Sequence, residues 1–519
     1  MADIDVLIKR AESGDGEATC ELGDCYFEGN GVEIDFEKAS NYYFKAVVKG
    51  NVLAQYRLGV CFYEGLGAKK DEAEALKLFK KVVPLLKAKA KGGDAKAQCY
   101  LGCCYNNGYG VKRNIKKAVN LYKQSAAQGF GAAQCYLGLI YLKGDGMPQD
   151  CAEAFGLLTK AAEQGNVLAQ NYLGHCLKYG KGTERDGEKA FYWFEKAAEQ
   201  GCTAAQINLG LCYEEGFGVE QDYGKTVYWY EKAAAKGDTD ALFNLGLVYI
   251  CDSGLQEEWA MAKGGVKRDE AKASNYFFKA ATNGNAFAQY RFGLCLYKNR
   301  GKDSDTALQW FKKAVNGFKR AAAQGDERAL YYLGCCYFFG RGVKKDCREA
   351  VFCYEKAAER GYAKAQTELG ECYNYGIGVI LKDYDKSEHW QEKAAGQGDV
   401  RVQYNLGKRY FDGTGITIDE NRAVYWYKKA AERGYVPAML ELALCHRSRG
   451  VKYDLKKSAY WYRKAAEKGH AGAQFHLGEY YFEGKGVEKN LKKAQQLWQS
   501  AAEQGHTDAI YELNRHFGK

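Results

Sequence analysis

The sequence predicts an all-α chain, a superhelical solenoid of about thirteen helix-pair repeats. Three observations predict it. First, Asn166 to Gly201 (NVLAQNYLGHCLKYGKGTERDGEKAFYWFEKAAEQG) and the next 36 residues, Cys202 to Gly237, are variants of one unit. Self-similarity at such a period marks a repeat architecture. Second, small and apolar residues recur inside each unit at helical spacing. Third, glycines stand at fixed places in each unit, where the helical pattern stops.

Within the unit, Leu173-Gly174 is a landmark. Ala169, Leu173, Cys176 and Leu177 share one helical face, which predicts a first helix, A. Gly180 and Gly182 follow and supply turn conformations that side chains resist. Lys189-Ala190 opens a second helix, B, carrying Tyr192, Trp193, Phe194 and Ala197-Ala198 and stopping at Gly201. Neither helix buries its apolar residues alone, so neighbouring units must stack to form a continuous core.

The run Leu-Gly-x-x-Tyr, Gly-x-Gly-Val, Lys-Ala-x-x-Trp-Tyr-x-Lys-Ala-Ala resembles the Sel-1-like repeat family, a relative of the tetratricopeptide repeat. The resemblance covers essentially the whole chain. It implies a right-handed α-α superhelix with helix A on the concave surface. It also implies a non-enzymatic scaffold that binds protein partners.

Residues 1–17 read as an N-terminal capping helix, because Lys9 to Gly14 mimics the end of a unit. Thirteen repeats follow over 18–505, and 506–519 read as a C-terminal capping helix with polar Glu512, Asn514 and Arg515. Landmarks stand at Leu22, Leu58, Leu101, Leu137, Leu173, Leu209, Leu245, Phe292, Leu333, Leu369, Leu406, Leu442, Leu477 and Leu513. After Leu58 and in the repeat of Phe292, helix B reads seven residues longer; two added turns keep its apolar face in phase. After Leu245 an insertion near 252–262, containing Trp259 and Met261, enlarges the glycine turn. Insertions in repeat arrays often lie on the binding face. A short helix folded back on its own repeat is an equally good reading.

The net charge of +10 is spread over 75 basic and 65 acidic residues, too mild a bias for a nucleic-acid-binding face. No apolar run is long enough to span a membrane, and residues 1–15 do not read as a signal peptide. Of the 19 cysteines, nine share the position three after the landmark: Cys25, Cys61, Cys104, Cys176, Cys212, Cys295, Cys336, Cys372 and Cys445. Equivalent positions on stacked helices lie roughly 10 Å apart, beyond the ~7 Å a disulfide tolerates. Cysteine-rich secreted relatives pair a helix A cysteine with one on helix B, which this chain mostly lacks. The expectation is free thiols in a reducing, cytoplasmic setting.

The motifs of chemistry are missing. Gly218 to Thr226 is one residue too long for a phosphate-binding loop and follows no strand. No Gly-x-Ser-x-Gly, Ser-x-x-Lys, Cys-x-x-Cys or His-Glu-x-x-His occurs. No catalytic residue, metal or cofactor is therefore expected. His470 and His506 stand where Asn or Asp begins other A helices, which suggests capping.

What remains is the residue before each landmark. Over seven consecutive repeats it reads Tyr100, Tyr136, Tyr172, Asn208, Asn244, Arg291 and Tyr332. On a concave A-helix surface these would form a ladder for an extended peptide or protein surface, with Trp259 as an alternative anchor. Packing against the neighbouring A helix explains the ladder equally well. An enzyme-like or carbohydrate-binding role, toward cell-wall fragments for example, is the alternative, because aromatic ladders also stack on sugars.

Overall fold

A computed structural model describes residues 4–250, 266–300, 305–414, 416–448 and 453–518. Among these residues every regular element is a helix. Successive helices pack as antiparallel pairs, as the repeat requires. The insertion near 252–262, with Trp259, lies outside the described residues.

The chain forms two compact units, Met1–Ala288 and Gln289–Lys519. In the first, the short helix Ile4–Glu12 buries Leu7 against Ala18, Leu22 and Cys25. Pairs such as Val167–Tyr179 with Gly187–Glu199, and Thr203–Glu215 with Tyr223–Ala235, then follow. In the second unit the same pairing runs from Glu327–Phe339 with Cys347–Glu359 to Ala471–Glu483 with Leu491–Glu503, and Thr507–Phe517 closes the chain.

The two lengthened B helices are Glu72–Lys91 and Asp305–Ala323. Phe79, Val82, Val83, Leu86 and Ala90 are all buried, so the added turns do stay in phase with the core.

Each landmark glycine has a steric cause. A Cβ on Gly174 would lie 2.6 Å from the Phe194 ring, and one on Gly210 2.5 Å from Tyr230. The B-helix aromatic therefore lies directly on the A-helix backbone. Between the helices, Gly218 has φ +71° and a Cβ there would meet the Gly187 carbonyl oxygen at 1.9 Å. Both left-handed conformation and close approach select glycine at this turn.

Polar signals outside the apolar pattern hold the register. Asp186, Asp222 and Asp419 cap B helices by accepting backbone N–H groups at 2.9–3.0 Å. Gln128, Gln164 and Gln200 each donate to the A-helix glutamine 30 residues earlier at 2.8 Å. Those acceptors also tie back, as Gln170 does in donating to the Ala162 carbonyl. The glutamines thus link the end of one B helix to the preceding A helix.

His470 and His506 do cap helices, accepting from the N–H groups of Ala473 and Ala509 through Nδ1. Only the neutral ring can accept. Burial first, and then the nearby His506, hold the His470 pKa below its ordinary value. The unfolded chain therefore binds the extra proton, and this contribution is complete above the ordinary histidine pKa of about 6.5. It is lost as pH falls through the lower folded value. The protection factor of the Ala473 amide, its exchange relative to the intrinsic rate at each pH, should fall between pH 7 and 5, and His470→Asn should remove that pH dependence.

All eighteen described cysteines are free thiols. Eight of the nine stripe cysteines are buried and Cys295 is half-buried. Burial pushes the Cys176 and Cys212 thiols up to about 11, and thiols rather than thiolates react slowly. Alkylation followed by mass spectrometry should label the eight buried positions slowly until denaturant is added. Rapid labelling of Cys212 in the native protein would contradict the burial.

Candidate functional site

The ladder does not form one uniformly exposed strip. Tyr100 is only 1% exposed, its ring stacked on Tyr56 at 4.8 Å and its hydroxyl accepting from Arg57 at 3.0 Å. Tyr332 is buried, stacked on Phe318 at 5.6 Å. Arg291 is half-buried.

Tyr136, Tyr172, Asn208 and Asn244 follow one another on four A helices of the first unit and are half-buried. Tyr136 packs beside Tyr122, and Tyr172 beside the His175 ring. The Asn208 carboxamide donates to Asn171 Oδ1 at 2.8 Å and lies 3.0 Å from His175 Nε2. Tyr136 and Asn208 therefore join neighbouring repeats, and all four side chains keep part of their surface open.

Tyr136 also lines a chamber of about 670 Å³ inside the first unit. Its apolar wall includes Phe27, Ile34, Val167 and Leu168. The chamber exists because the array curls back on itself. The turn after the first A helix, Gly16–Glu28, reaches helix ends far along the chain. Ile34 N–H donates to the Gln200 carbonyl at 3.0 Å. Lys236 Nζ bonds Glu33 at 3.1 Å and the Gly201 carbonyl at 3.0 Å. A Cβ on Gly29 would stand 3.1 Å from both Gln200 O and Val167.

Arg57 occupies the ladder position of the second repeat, yet its side chain is only 5% exposed. Its Nε donates to Asp24 Oδ1 at 2.8 Å, and Nη2 donates to Glu28 Oε1. The guanidinium also lies over the rings of Tyr100 and Phe27 at 4.8 and 4.9 Å. Burial pushes the Glu28 carboxyl up, and Arg57 opposes that shift. One cation between two carboxylates is a structural clamp, worth most when it is complete.

The sequence reading placed Arg57 outside the ladder run. Its one signal was a charge at a position where the next repeats carry tyrosine. Nothing local indicated the chamber, since Lys236 and Glu33 are 203 residues apart.

Among the described residues, no group of three His, Cys, Asp or Glu side chains could hold a metal ion. No helix among them is long and apolar enough to cross a membrane.

A family model described as Sel1 repeat matches residues 16–51, 52–81, 95–130, 131–166, 167–202, 203–238, 239–285, 286–317, 327–362, 363–399, 400–435, 436–470 and 471–506. No curated protein matches the chain. Among solved structures, a protective antigen of uropathogenic Escherichia coli displaying an SLR fold is 28% identical. That match covers 100% of this chain and 98% of the antigen, with a TM-score of 0.41. A Sel1 repeat protein from Oxalobacter formigenes is 27% identical over 76% of this chain and 89% of its own, with a TM-score of 0.26. An immunity protein from Pseudomonas aeruginosa is 23% identical over 44% of this chain and 81% of its own, with a TM-score of 0.30.

Proposed function

We propose, for a chain that belongs to the Sel1 repeat family, that it is a non-enzymatic scaffold binding an extended peptide or protein surface along its A helices. The family's repeats typically serve protein interaction. One observation supports this surface. Tyr136, Tyr172, Asn208 and Asn244 hold the same repeat position on four successive A helices and stay half-buried. Tyrosine offers apolar area with a polar tip. Asparagine offers a donor and an acceptor to a peptide backbone.

Affinity capture from the native cell with mass spectrometry identifies partners, and two double variants then test the surface. Asn208→Ala with Asn244→Ala should weaken capture of a partner while changing stability by about 0.5–1 kcal/mol at each half-buried position. Asn208 has an intramolecular bond to lose, so about 1 kcal/mol more is expected there. Tyr136→Ala with Tyr172→Ala should weaken capture through lost contact area. Unchanged capture with intact stability moves the surface elsewhere, and the insertion with Trp259 becomes the next candidate. A cytoplasmic setting belongs to the same proposal and is checked by fractionation.

A further inference from the structure

We infer that the chamber of the first unit is a binding site for an uncharged, largely apolar small molecule carrying a hydrogen-bond acceptor. The inference stands apart from the scaffold reading, because its test contains no protein partner.

The volume, about 670 Å³, lies within the usual range for small-molecule sites, roughly 300–1,000 Å³. Its wall is apolar at Phe27, Ile34, Val167 and Leu168, which favours an apolar body. The charges decide the rest. Four charged side chains line the chamber: Glu28, Asp35, Arg57 and Lys236. Each is already matched within the chain. Arg57 is held by Asp24 and Glu28. Lys236 is paired with Glu33. Asp35 caps its helix and pairs with Lys38 at 3.3 Å.

A carboxylate, phosphate or ammonium entering the chamber would lose its water and meet no uncommitted counter-charge, a costly transfer. A neutral molecule avoids that cost. Arg57 spends Nε on Asp24 and Tyr100 and one Nη2 N–H on Glu28, and among the described residues its Nη1 has no protein acceptor. An amide or alcohol oxygen would satisfy it. The turn carrying Glu33 and Ile34 borders the chamber and is held to Gln200 and Lys236.

The test uses the full chain and the neutral fluorophore Nile red. Its emission should brighten and shift to the blue with the wild type. Octanamide should displace it at a concentration at least about tenfold below octanoate or octylammonium, a preference of about 1.4 kcal/mol. Leu168→Trp and Thr203→Trp each place an indole in the chamber and should abolish the Nile red response. Leu308→Trp, an equally exposed leucine in the second unit, should leave it intact. Thermal melts of all three variants separate filling from misfolding. Absence of a response in the wild type, or an equal response in folded Leu168→Trp and Thr203→Trp, overturns the site. Displacement best by octanoate or octylammonium overturns the ligand class.

Discussion

Replacing Arg57 with methionine should cost about 3–5 kcal/mol of stability at pH 7, the usual loss when one partner of a buried ion pair is removed. Methionine keeps the apolar stem and removes the charge. Asp24 and Glu28 then face each other, with the Tyr43 hydroxyl 3.0 Å from Asp24, Asn30 Nδ2 3.4 Å from Glu28 and the more distant Lys96 to compensate. The loss should depend on pH in a defined sense. Burial already raises the Glu28 carboxyl, and without Arg57 the weaker pull of Lys96 is left to oppose that rise. A carboxyl whose folded pKa lies above its unfolded value is protonated more in the native state. Its penalty therefore grows as pH rises through that window and shrinks as pH falls. Urea unfolding of Arg57→Met at pH 7 and pH 5, each against wild type, should give the smaller deficit at pH 5. A difference under about 0.5 kcal/mol at pH 7 would show the clamp to be energetically idle. Arg57→Lys should fall between, since an ammonium restores charge without the two-pronged geometry.

Truncating Leu209 to alanine should cost about 2–5 kcal/mol. Leu209 is 0% exposed and sits in one cluster with Leu173, Phe194, Ala205 and Cys212. The backbone beneath it has little room to collapse, because Gly210 already lies against the Tyr230 ring. A cavity should therefore persist rather than close, which places the cost toward the upper part of that range. Repeats contact chiefly their neighbours, and here the first turn also reaches Gln200 and Lys236, so the damage should be local to these repeats and that turn first. Hydrogen exchange should accelerate in Val167–Tyr179, Gly187–Glu199 and Thr203–Glu215 before the C-terminal repeats respond. A uniform loss of protection along the whole chain would mean that the array unfolds as one cooperative body. The same variant calibrates the ladder substitutions, whose stability effects should be much smaller.

Much of the B helix was legible in outline and not in detail. Tyr425, Trp426 and Tyr427 stand side by side on one B helix. Consecutive helical residues point about 100° apart, so they cannot all face inward. Tyr427 is 1% exposed and Trp426 9%, while Tyr425 is 52% exposed with Lys429 Nζ 5.6 Å from its ring centre. The B-helix aspartate caps are legible in the sequence, since Asp186 stands three residues before Lys189, at the spacing of an N-cap and the amide it accepts from. The glutamine links were not readable, because Gln200 and Gln170 stand 30 residues apart and meet only when helix B folds back along helix A.

By itself the sequence determined the unit, its length, its two helices, the places where glycine is needed and the family. Those depend on contacts within one repeat or between adjacent ones, and thirteen copies state them repeatedly. Tertiary structure alone decided which ladder side chains keep open surface, Tyr136 and Asn208 but not Tyr100, and that Arg57 is a buried clamp. It alone joined Glu33 to Lys236 across 203 residues and so formed a chamber, still partly open, beside them. The physical reason is that curvature sums small rotations over many repeats. No single unit encodes where that sum brings the first turn.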